Sequence, residues 1–209
     1  MIALRRHALV RLSQAPGADS EADRERAVRW HAAGRPFVVT RRRAAGRDIG
    51  LGFCTTDERH PELRPRRVAA QAAVDLVDSL ALPPTLEEIA RHPAALGHAA
   101  SFSRLASAAA ATTVRVYGSW MWQMLTGERH VHDASDLDVL IDVAGISAAD
   151  RVTALLAEIE PTLGFRLDGE ISFAGLGEVN WREYRQDGRE VLLKSVETMR
   201  LTPRSALPA

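Results

Sequence analysis

The stretch Val116-Tyr117-Gly118-Ser119 predicts a strand and a Gly-Ser turn that leads into a helix. The later stretch Asp136-Leu137-Asp138-Val139-Leu140-Ile141 predicts a second strand, which carries two acids. Side chains alternate between the two faces of a strand, so Asp136 and Asp138 are expected on one face. Their Cα atoms would lie about 7 Å apart, which lets both carboxylates reach a pair of metal ions about 4 Å apart. Two carboxylates this close repel each other unless a cation lies between them. The stretch therefore predicts a metal site of the kind that phosphoryl-transferring enzymes use.

Gly118 and Ser119 mark the turn between the first strand and the helix. Glycine lets a phosphate approach the backbone closely, and the unpaired amides at a helix N-terminus attract an anion. The serine hydroxyl can either cap the helix or donate a hydrogen bond to a phosphate. Together with the acid pair in the next strand, the turn predicts a phosphate-binding site.

Other residues are candidates for the same site. A third carboxylate from a neighbouring strand usually completes it, and Asp168 and Glu170 share one face of a predicted strand; we favour Glu170. Lys194 is the only lysine beside 26 arginines, so its position is expected to need a compact point charge, as phosphate sites often do. Arg129 lies in the turn before the acid pair, where it can steer a phosphate chain.

The available ligands favour magnesium over zinc. His130 and His132 precede the acid pair, but no third nitrogen or sulfur ligand is close in the sequence, and oxygen-rich sites favour Mg²⁺. Asp142 would lie about 13 Å from Asp138, too far to share a metal ion. The lone cysteine, Cys54, excludes an internal disulfide and a cysteine zinc cage. The chain also lacks the G-x-S-x-G elbow of many serine hydrolases.

The composition is that of a globular protein. The 209 residues are 46% hydrophobic and 26% charged, and a chain of this length can bury a sizeable core. No apolar run approaches the roughly 20 residues that a bilayer crossing needs, and the N-terminus lacks the apolar region of a secretory signal. We therefore expect a cytoplasmic protein with no membrane partner.

Charge is unevenly distributed along the chain. Residues 1–67 carry 15 arginines against 8 acids, whereas the remaining 142 residues carry 12 basic groups against 19 acids. Residues 1–67 are called the basic front; their positive charge predicts a region that binds phosphates or an acidic partner. The alternative interpretation is that arginine is simply abundant in this chain.

The pattern of elements divides the chain near residue 80. Residues 1–80 are predicted to form a small N-terminal α+β domain, with strands over 3–12, 37–40 and 49–53, a helix over 20–33, and a strand or helix over 66–74. Residues 81–209 are predicted to form an α/β palm with a mixed sheet, because strands alternate with helices. Its predicted strands are 114–117, 137–141, 164–167 running into 171–173, 178–181 and 190–196, and its helices are a short one capped by Thr85, 94–111, 120–125 and 147–159.

The Gly-Ser and Asp-x-Asp signature resembles that of the nucleotidyltransferase superfamily, whose members share this palm. Its surroundings resemble one family in particular, the malonate decarboxylase holo-acyl-carrier-protein synthases, which are phosphoribosyl-dephospho-CoA transferases. The resemblance covers most of the chain. It rests on YGS at 117–119, WQMLTG at 122–127, SDLDVL at 135–140, DGE at 168–170, EVNWRE at 178–183, VLLK at 191–194, and RPFVVTR at 35–41 followed by Leu51-Gly52.

The resemblance implies a donor and an acceptor. The donor would be triphosphoribosyl-dephospho-CoA, and the acceptor a serine of the acyl-carrier subunit of malonate decarboxylase; the carrier of citrate lyase is the alternative acceptor. The acid pair would hold Mg²⁺, the Gly-Ser turn would hold the pyrophosphate end, and Glu170 or Asp168 would orient or deprotonate the serine hydroxyl. The basic front would receive the CoA phosphates or the acidic carrier.

Three other functions are alternatives. An enzyme that transfers AMP from ATP would share the acid pair and differ in its donor. A binding module that chaperones the carrier would not need an intact acid pair. An RNA-tailing enzyme is disfavoured, because the chain lacks the interleaved aromatic and basic residues of a strand-binding groove, so no nucleic-acid partner is expected.

Overall fold

The computed structural model describes residues 4–42, 46, 48–57, 60, 64–186 and 188–209. The chain divides into two compact units. The first comprises Met1–Pro83, Glu128–His130 and Ser195–Thr198, and the second comprises Pro84–Gly127, Val131–Lys194 and Met199–Ala209.

Among its described residues, the first unit combines one α-helix with a five-stranded antiparallel sheet. The strands lie in the order β4-β3-β2-β1-β5. Residues 66–73 form a strand, and Ala3, where the first predicted strand begins, lies outside the described residues. The elements are β1 (Leu9–Leu12), α1 (Glu21–Ala32), β2 (Phe37–Thr40), β3 (Asp48–Thr55), β4 (Arg66–Ala73) and β5 (Val77–Ala81).

Helix α1 packs on this sheet through an aromatic cluster. It begins after Ser20, whose hydroxyl accepts a hydrogen bond from a first-turn amide. Trp30 is buried, with its ring centroid 5.0 Å from that of Phe53, and Phe37 packs edge-on against Phe53 at 5.4 Å. The indole Nε1 donates a hydrogen bond to the carbonyl of Pro36, which satisfies its polar group inside the core.

Several arginines of the basic front are ion-paired within the first unit. Glu128 shows the effect of such pairing: burial opposes its ionisation, yet the Thr56 hydroxyl and the Arg35 guanidinium hold its pKa below the usual value. Part of the excess positive charge is therefore already neutralised. The pairs are Arg24 with Glu21, Arg26 and Arg66 with Asp23, Arg29 with Glu25, Arg35 with Glu128, and Arg42 with Glu197.

The lone cysteine, Cys54, is predicted to be unreactive. Burial raises the pKa of its thiol to about 11, although the charge of Arg67, its register partner on β4, acts in the opposite direction. At pH 8 the native protein is therefore expected to react with iodoacetamide about 100-fold more slowly than the urea-unfolded chain, because only the thiolate reacts. Equal rates in the two states, followed by intact mass, would contradict this prediction.

The second unit contains a six-stranded mixed sheet among its described residues. The order is β11-β10-β9-β8-β7-β6; β7 and β8 are parallel and the other neighbours are antiparallel. A mixed sheet is what the sequence predicts. The elements are α2 (Leu86–Ala90), α3 (Ala99–Ala108), β6 (Val114–Tyr117), α4 (Gly118–Thr126), β7 (Leu137–Val143), α5 (Ile146–Ile159), β8 (Leu167–Phe173), β9 (Gly177–Asn180), α6 (Trp181–Tyr184), β10 (Glu190–Lys194) and β11 (Met199–Pro203).

The core of this unit lies on one face of the sheet, where all five helices contribute buried side chains. Because side chains alternate along a strand, the other face of the same strands carries the polar residues. The core positions of β7 and β8 are Leu137, Val139, Ile141, Leu167, Ile171 and Phe173, whereas the polar positions of the sheet include Asp138, Asp168, Glu170, Ser172, Glu178 and Lys194.

The predicted and observed elements differ at several points. The alanine-rich helix predicted over 94–111 is divided into a 3₁₀ segment, Pro93–His98, and helix α3; Gly97, which has a low helix propensity, lies at the division. The strand predicted to reach Trp181 ends at Asn180, whose side chain caps α6. The edge strand β11 is absent from the prediction; four of its five residues, Met199 and Leu201 among them, are exposed.

Within the part of the chain that the structure describes, no helix combines the length and the apolar composition that a bilayer crossing requires.

Candidate functional site

The site is built around the turn from β6 into α4. Tyr117 is the N-cap residue and has an extended backbone, and Gly118 follows with φ +67°, a conformation that favours glycine. The helix thus begins before the predicted residue 120, and Ser119 is its second residue rather than its cap. The first amides of a helix lack intrahelical partners and carry its positive dipole end, so this turn is suited to an anion.

The carboxylate of Asp138 lies directly against Gly118. A β-carbon placed on Gly118 would overlap Oδ2 of Asp138 and would lie only 2.8 Å from its Cγ. Tyr117 and Asp138 are register partners on β6 and β7, which explains the close approach. Because glycine has no side chain, the carboxylate of Asp138 can contact the backbone at the start of the helix.

The parallel pairing of β7 and β8 brings a second acid beside Asp138. Asp138 and Asp168 are register partners, and neighbouring strands lie about 4.8 Å apart. Their side chains lie on the same polar face of the sheet. The described geometry therefore aligns Tyr117, Asp138 and Asp168 across three adjacent strands.

Gly169 allows this pairing to be close. Its φ is +147°, and a β-carbon there would overlap the carbonyl oxygen of Val139 on β7. A larger residue at position 169 would push β8 away from β7, and with it the acid at position 168.

Asp136 lies one residue before β7 and is oriented by a cation from the protein. Nη1 of Arg166 donates a hydrogen bond to Oδ2 of Asp136 at 3.3 Å, and the amide of Leu137 donates to the carbonyl of Arg166 at 2.8 Å. Both side chains are partly exposed. The sequence did not single out Arg166, since its role depends on the pairing of two strand starts that are distant in the chain.

Asp168 is held by two hydrogen bonds. Its Oδ1 accepts one from the amide of Gly169 at 2.8 Å and one from Nδ2 of Asn180 at 3.0 Å. Asn180 is the second residue that sequence reasoning missed as part of the site. In the sequence analysis, Asn180 appeared only as part of the motif at 178–183.

Glu170, the favoured third carboxylate of the sequence analysis, is not aligned with Tyr117, Asp138 and Asp168 across the sheet. It is the register partner of Leu140 rather than of Asp138, and it is buried. Nζ of Lys194 lies 3.1 Å from its Oε1. The single lysine therefore neutralises a buried carboxylate on the polar face of the sheet, which is a reason for a compact cation at this position.

Arg129, predicted to steer a phosphate chain, belongs to the first unit and has an exposed side chain. His130 of the same segment is buried, and His132 is half-buried.

The carboxylates fit the ligand chemistry of magnesium. Among the described residues no three His, Cys, Asp or Glu side chains converge on one point. Mg²⁺ does not require such a cage, because it is commonly held by one or two carboxylates together with water and substrate phosphates. Asp136 and Asp138 carry carboxylate oxygens of this kind, and Nη1 of Arg166 lies 3.3 Å from one of those of Asp136.

Two family models match consecutive parts of the chain. The N-terminal domain of phosphoribosyl-dephospho-CoA transferase MdcG matches residues 5–83, and the C-terminal domain of the same transferase matches residues 79–205. The matches overlap only at the boundary and together extend over nearly the whole sequence.

Curated relatives carry the same name. A phosphoribosyl-dephospho-CoA transferase of Xanthomonas axonopodis pv. citri is 36% identical over 208 residues, covering 97% of this chain and 95% of the relative. A second, from Xanthomonas campestris pv. campestris (strain 8004), is 37% identical with the same coverage. One from Bradyrhizobium diazoefficiens is 40% identical over 146 residues, covering 69% of this chain and 64% of the relative. No solved structure matches the chain.

Proposed function

Because the chain belongs to the phosphoribosyl-dephospho-CoA transferase MdcG family, we propose that it transfers the phosphoribosyl-dephospho-CoA group from triphosphoribosyl-dephospho-CoA to a serine of the acyl-carrier subunit of malonate decarboxylase. Pyrophosphate is the second product. The observation that carries the proposal is the carboxylate of Asp138 packed on Gly118 at the start of α4. This places an acid and a helix N-terminus together, as transfer from a phosphate chain requires.

In the proposed reaction the serine oxygen of the carrier attacks the ribose-proximal phosphorus. A new phosphorus–oxygen bond forms, the bond to pyrophosphate breaks, and a phosphodiester joins the prosthetic group to the carrier. The proton of the serine hydroxyl must be accepted as the bond forms, and the charge on the leaving pyrophosphate must be stabilised. The residues of the second unit supply groups for both tasks.

Asp168 is the proposed proton acceptor. It lies beside Asp138 in the parallel register and is partly exposed, whereas Glu170 is buried and ion-paired with Lys194. A carboxylate already committed to a lysine is a weaker base, because the neighbouring cation favours its charged form. We therefore assign the role to Asp168, and to Lys194 the role of holding Glu170.

Gly118 and Ser119 are proposed to bind the pyrophosphate end of the donor through the first amides of α4. Asp136 and Asp138 would hold Mg²⁺, which when bound neutralises phosphate oxygens and stabilises the departing pyrophosphate. The second unit would then be a nucleotidyltransferase-type palm. The first unit, with its arginines, would receive the CoA phosphates or the carrier, and Arg129 would contribute to that phosphate-binding surface.

Intact mass spectrometry tests the proposal. Purified protein is incubated with apo carrier subunit, magnesium and triphosphoribosyl-dephospho-CoA, and a parallel reaction contains ATP instead. We expect the carrier to gain the mass of phosphoribosyl-dephospho-CoA in the first reaction alone. A gain of AMP from ATP would instead identify an AMP transferase, and no gain with either donor despite carrier binding would identify a binding module. Adding the carrier of citrate lyase in competition shows which acceptor is preferred.

A further inference from the structure

Asn180 lies where β9 ends and α6 begins, and both polar atoms of its side chain form hydrogen bonds. Its Oδ1 accepts hydrogen bonds from the amides of Arg182 at 3.0 Å and Glu183 at 3.3 Å, so it caps the helix. Only the oxygen of a carboxamide accepts from an N–H group, so these two bonds fix the orientation of the amide. Its Nδ2 must then point the other way.

That nitrogen donates to Asp168. The bond to Oδ1 measures 3.0 Å, and the amide of Gly169 donates to the same oxygen at 2.8 Å. Within the described part of the chain, both hydrogen bonds to this carboxylate reach Oδ1, so Oδ2 is the oxygen that is left to take a proton. Two donors from adjacent strands restrict rotation of the carboxylate, which a single donor would not.

The strand end beside Asp168 is fastened to the same short helix. The carbonyl of Leu167 accepts from Nε1 of Trp181 at 3.3 Å and from Nη2 of Arg182 at 2.9 Å, while its amide donates to Glu160 at 3.0 Å. Arg182 also forms an ion pair with Glu160. The residue before Asp168 and the residues after Asn180 are thus connected directly, so the two side chains keep a fixed separation.

We infer that Asn180 is a positioning residue, which orients Asp168 so that Oδ2 faces the serine hydroxyl of the acceptor. The inference rests on the proposed function, since it concerns the proton acceptor of that reaction. It goes beyond helix capping, because a cap alone needs only the oxygen of this side chain, whereas the nitrogen holds the acid.

Asn180→Ser separates the two roles. Serine caps a helix about as well as asparagine, but it lacks the amide nitrogen that reaches Asp168. We expect kcat to fall by about 30-fold, with KM for the donor and the thermal unfolding midpoint nearly unchanged. The matched control is Thr85→Ser, which exchanges the cap of α2 and is expected to leave kcat unchanged. A normal kcat in Asn180→Ser would overturn the inference, as would equal effects on kcat, KM and stability.

A second measurement does not depend on activity. The side-chain amide of Asn180 is assigned in nitrogen–proton correlation spectra of the wild type and of Asp168→Ala. We expect its proton resonance to shift upfield and its hydrogen exchange to accelerate when the acceptor carboxylate is removed. An unchanged resonance would overturn the inference even if transfer is confirmed. If the wild type proves inactive but the resonance responds, the proposed function fails while the hydrogen bond stands.

Discussion

Asp138→Asn is expected to lower kcat for the transfer by about 1000-fold, which corresponds to an activation barrier higher by ~4 kcal/mol. Asparagine has nearly the same shape as aspartate, so it fits against Gly118 as the acid does. It lacks the negative charge that we propose binds magnesium. The loss of that charge at the start of α4 is expected to cost no more than about 1 kcal/mol of folding stability. The rate of mass gain on the carrier measures the effect.

The control for this prediction is Asp142→Asn, which removes an acid from the same strand and the same nominal face. Asp142 is exposed and is the register partner of Ser172, four residues along the strand from the pair of Asp138 with Asp168. Transfer by this variant should match the wild type. If Asp138→Asn retained a tenth of the wild-type rate, the assignment of Asp138 to the metal would be wrong. The same substitution at Asp136 is expected to have the same direction of effect.

Gly118→Ala is expected to lower the transfer rate by about 100-fold, which is the usual cost of displacing a catalytic group by 1 Å. The new methyl group would overlap Oδ2 of Asp138, so the carboxylate must move. Alanine also disfavours the φ of +67° at this position, which costs roughly 1–2 kcal/mol of stability. Both the rate and the free energy of unfolding should therefore fall.

Gly127→Ala distinguishes the two effects. Gly127 ends the same helix with φ +72°, but a β-carbon there would meet no heavy atom of the described residues within 4 Å. This variant should lose a similar amount of stability in urea unfolding and keep its transfer rate. Equal loss of activity in both variants would mean that backbone strain, and not the contact with Asp138, is responsible.

Local patterns predicted those parts of the fold that depend on neighbours in the sequence. Strand β2 has the predicted bounds, since Pro36 and the aromatic and β-branched residues after it define a strand without reference to the rest of the chain. Thr85 was likewise predicted to cap a short helix, and in the structure it forms a capping box with Glu88. The turn at Gly118 was located because glycine and a following helix pattern are both local signals.

The sequence could not supply the pairing of distant strands. Alternation placed Asp168 and Glu170 on one face but did not show which of them is beside Asp138, because that depends on the register of β7 with β8. The contacts of Asn180 and Arg166 depend on the same kind of pairing. They join residues that are 12 and 30 positions apart, at neighbouring strands, and the pattern within a single strand does not encode such a contact.

The parallel pairing of β7 with β8 has a consequence for the order in which the protein acquires activity. Parallel neighbours need a crossover connection, here through α5, before any of their hydrogen bonds can form. Contacts between such distant segments form slowly, because the entropy cost of closing the loop must be met before the contacts between the two strands can stabilise it. Asp138 and Asp168 therefore meet only after the crossover has docked. We expect refolding chains to regain helical signal before they regain transfer activity.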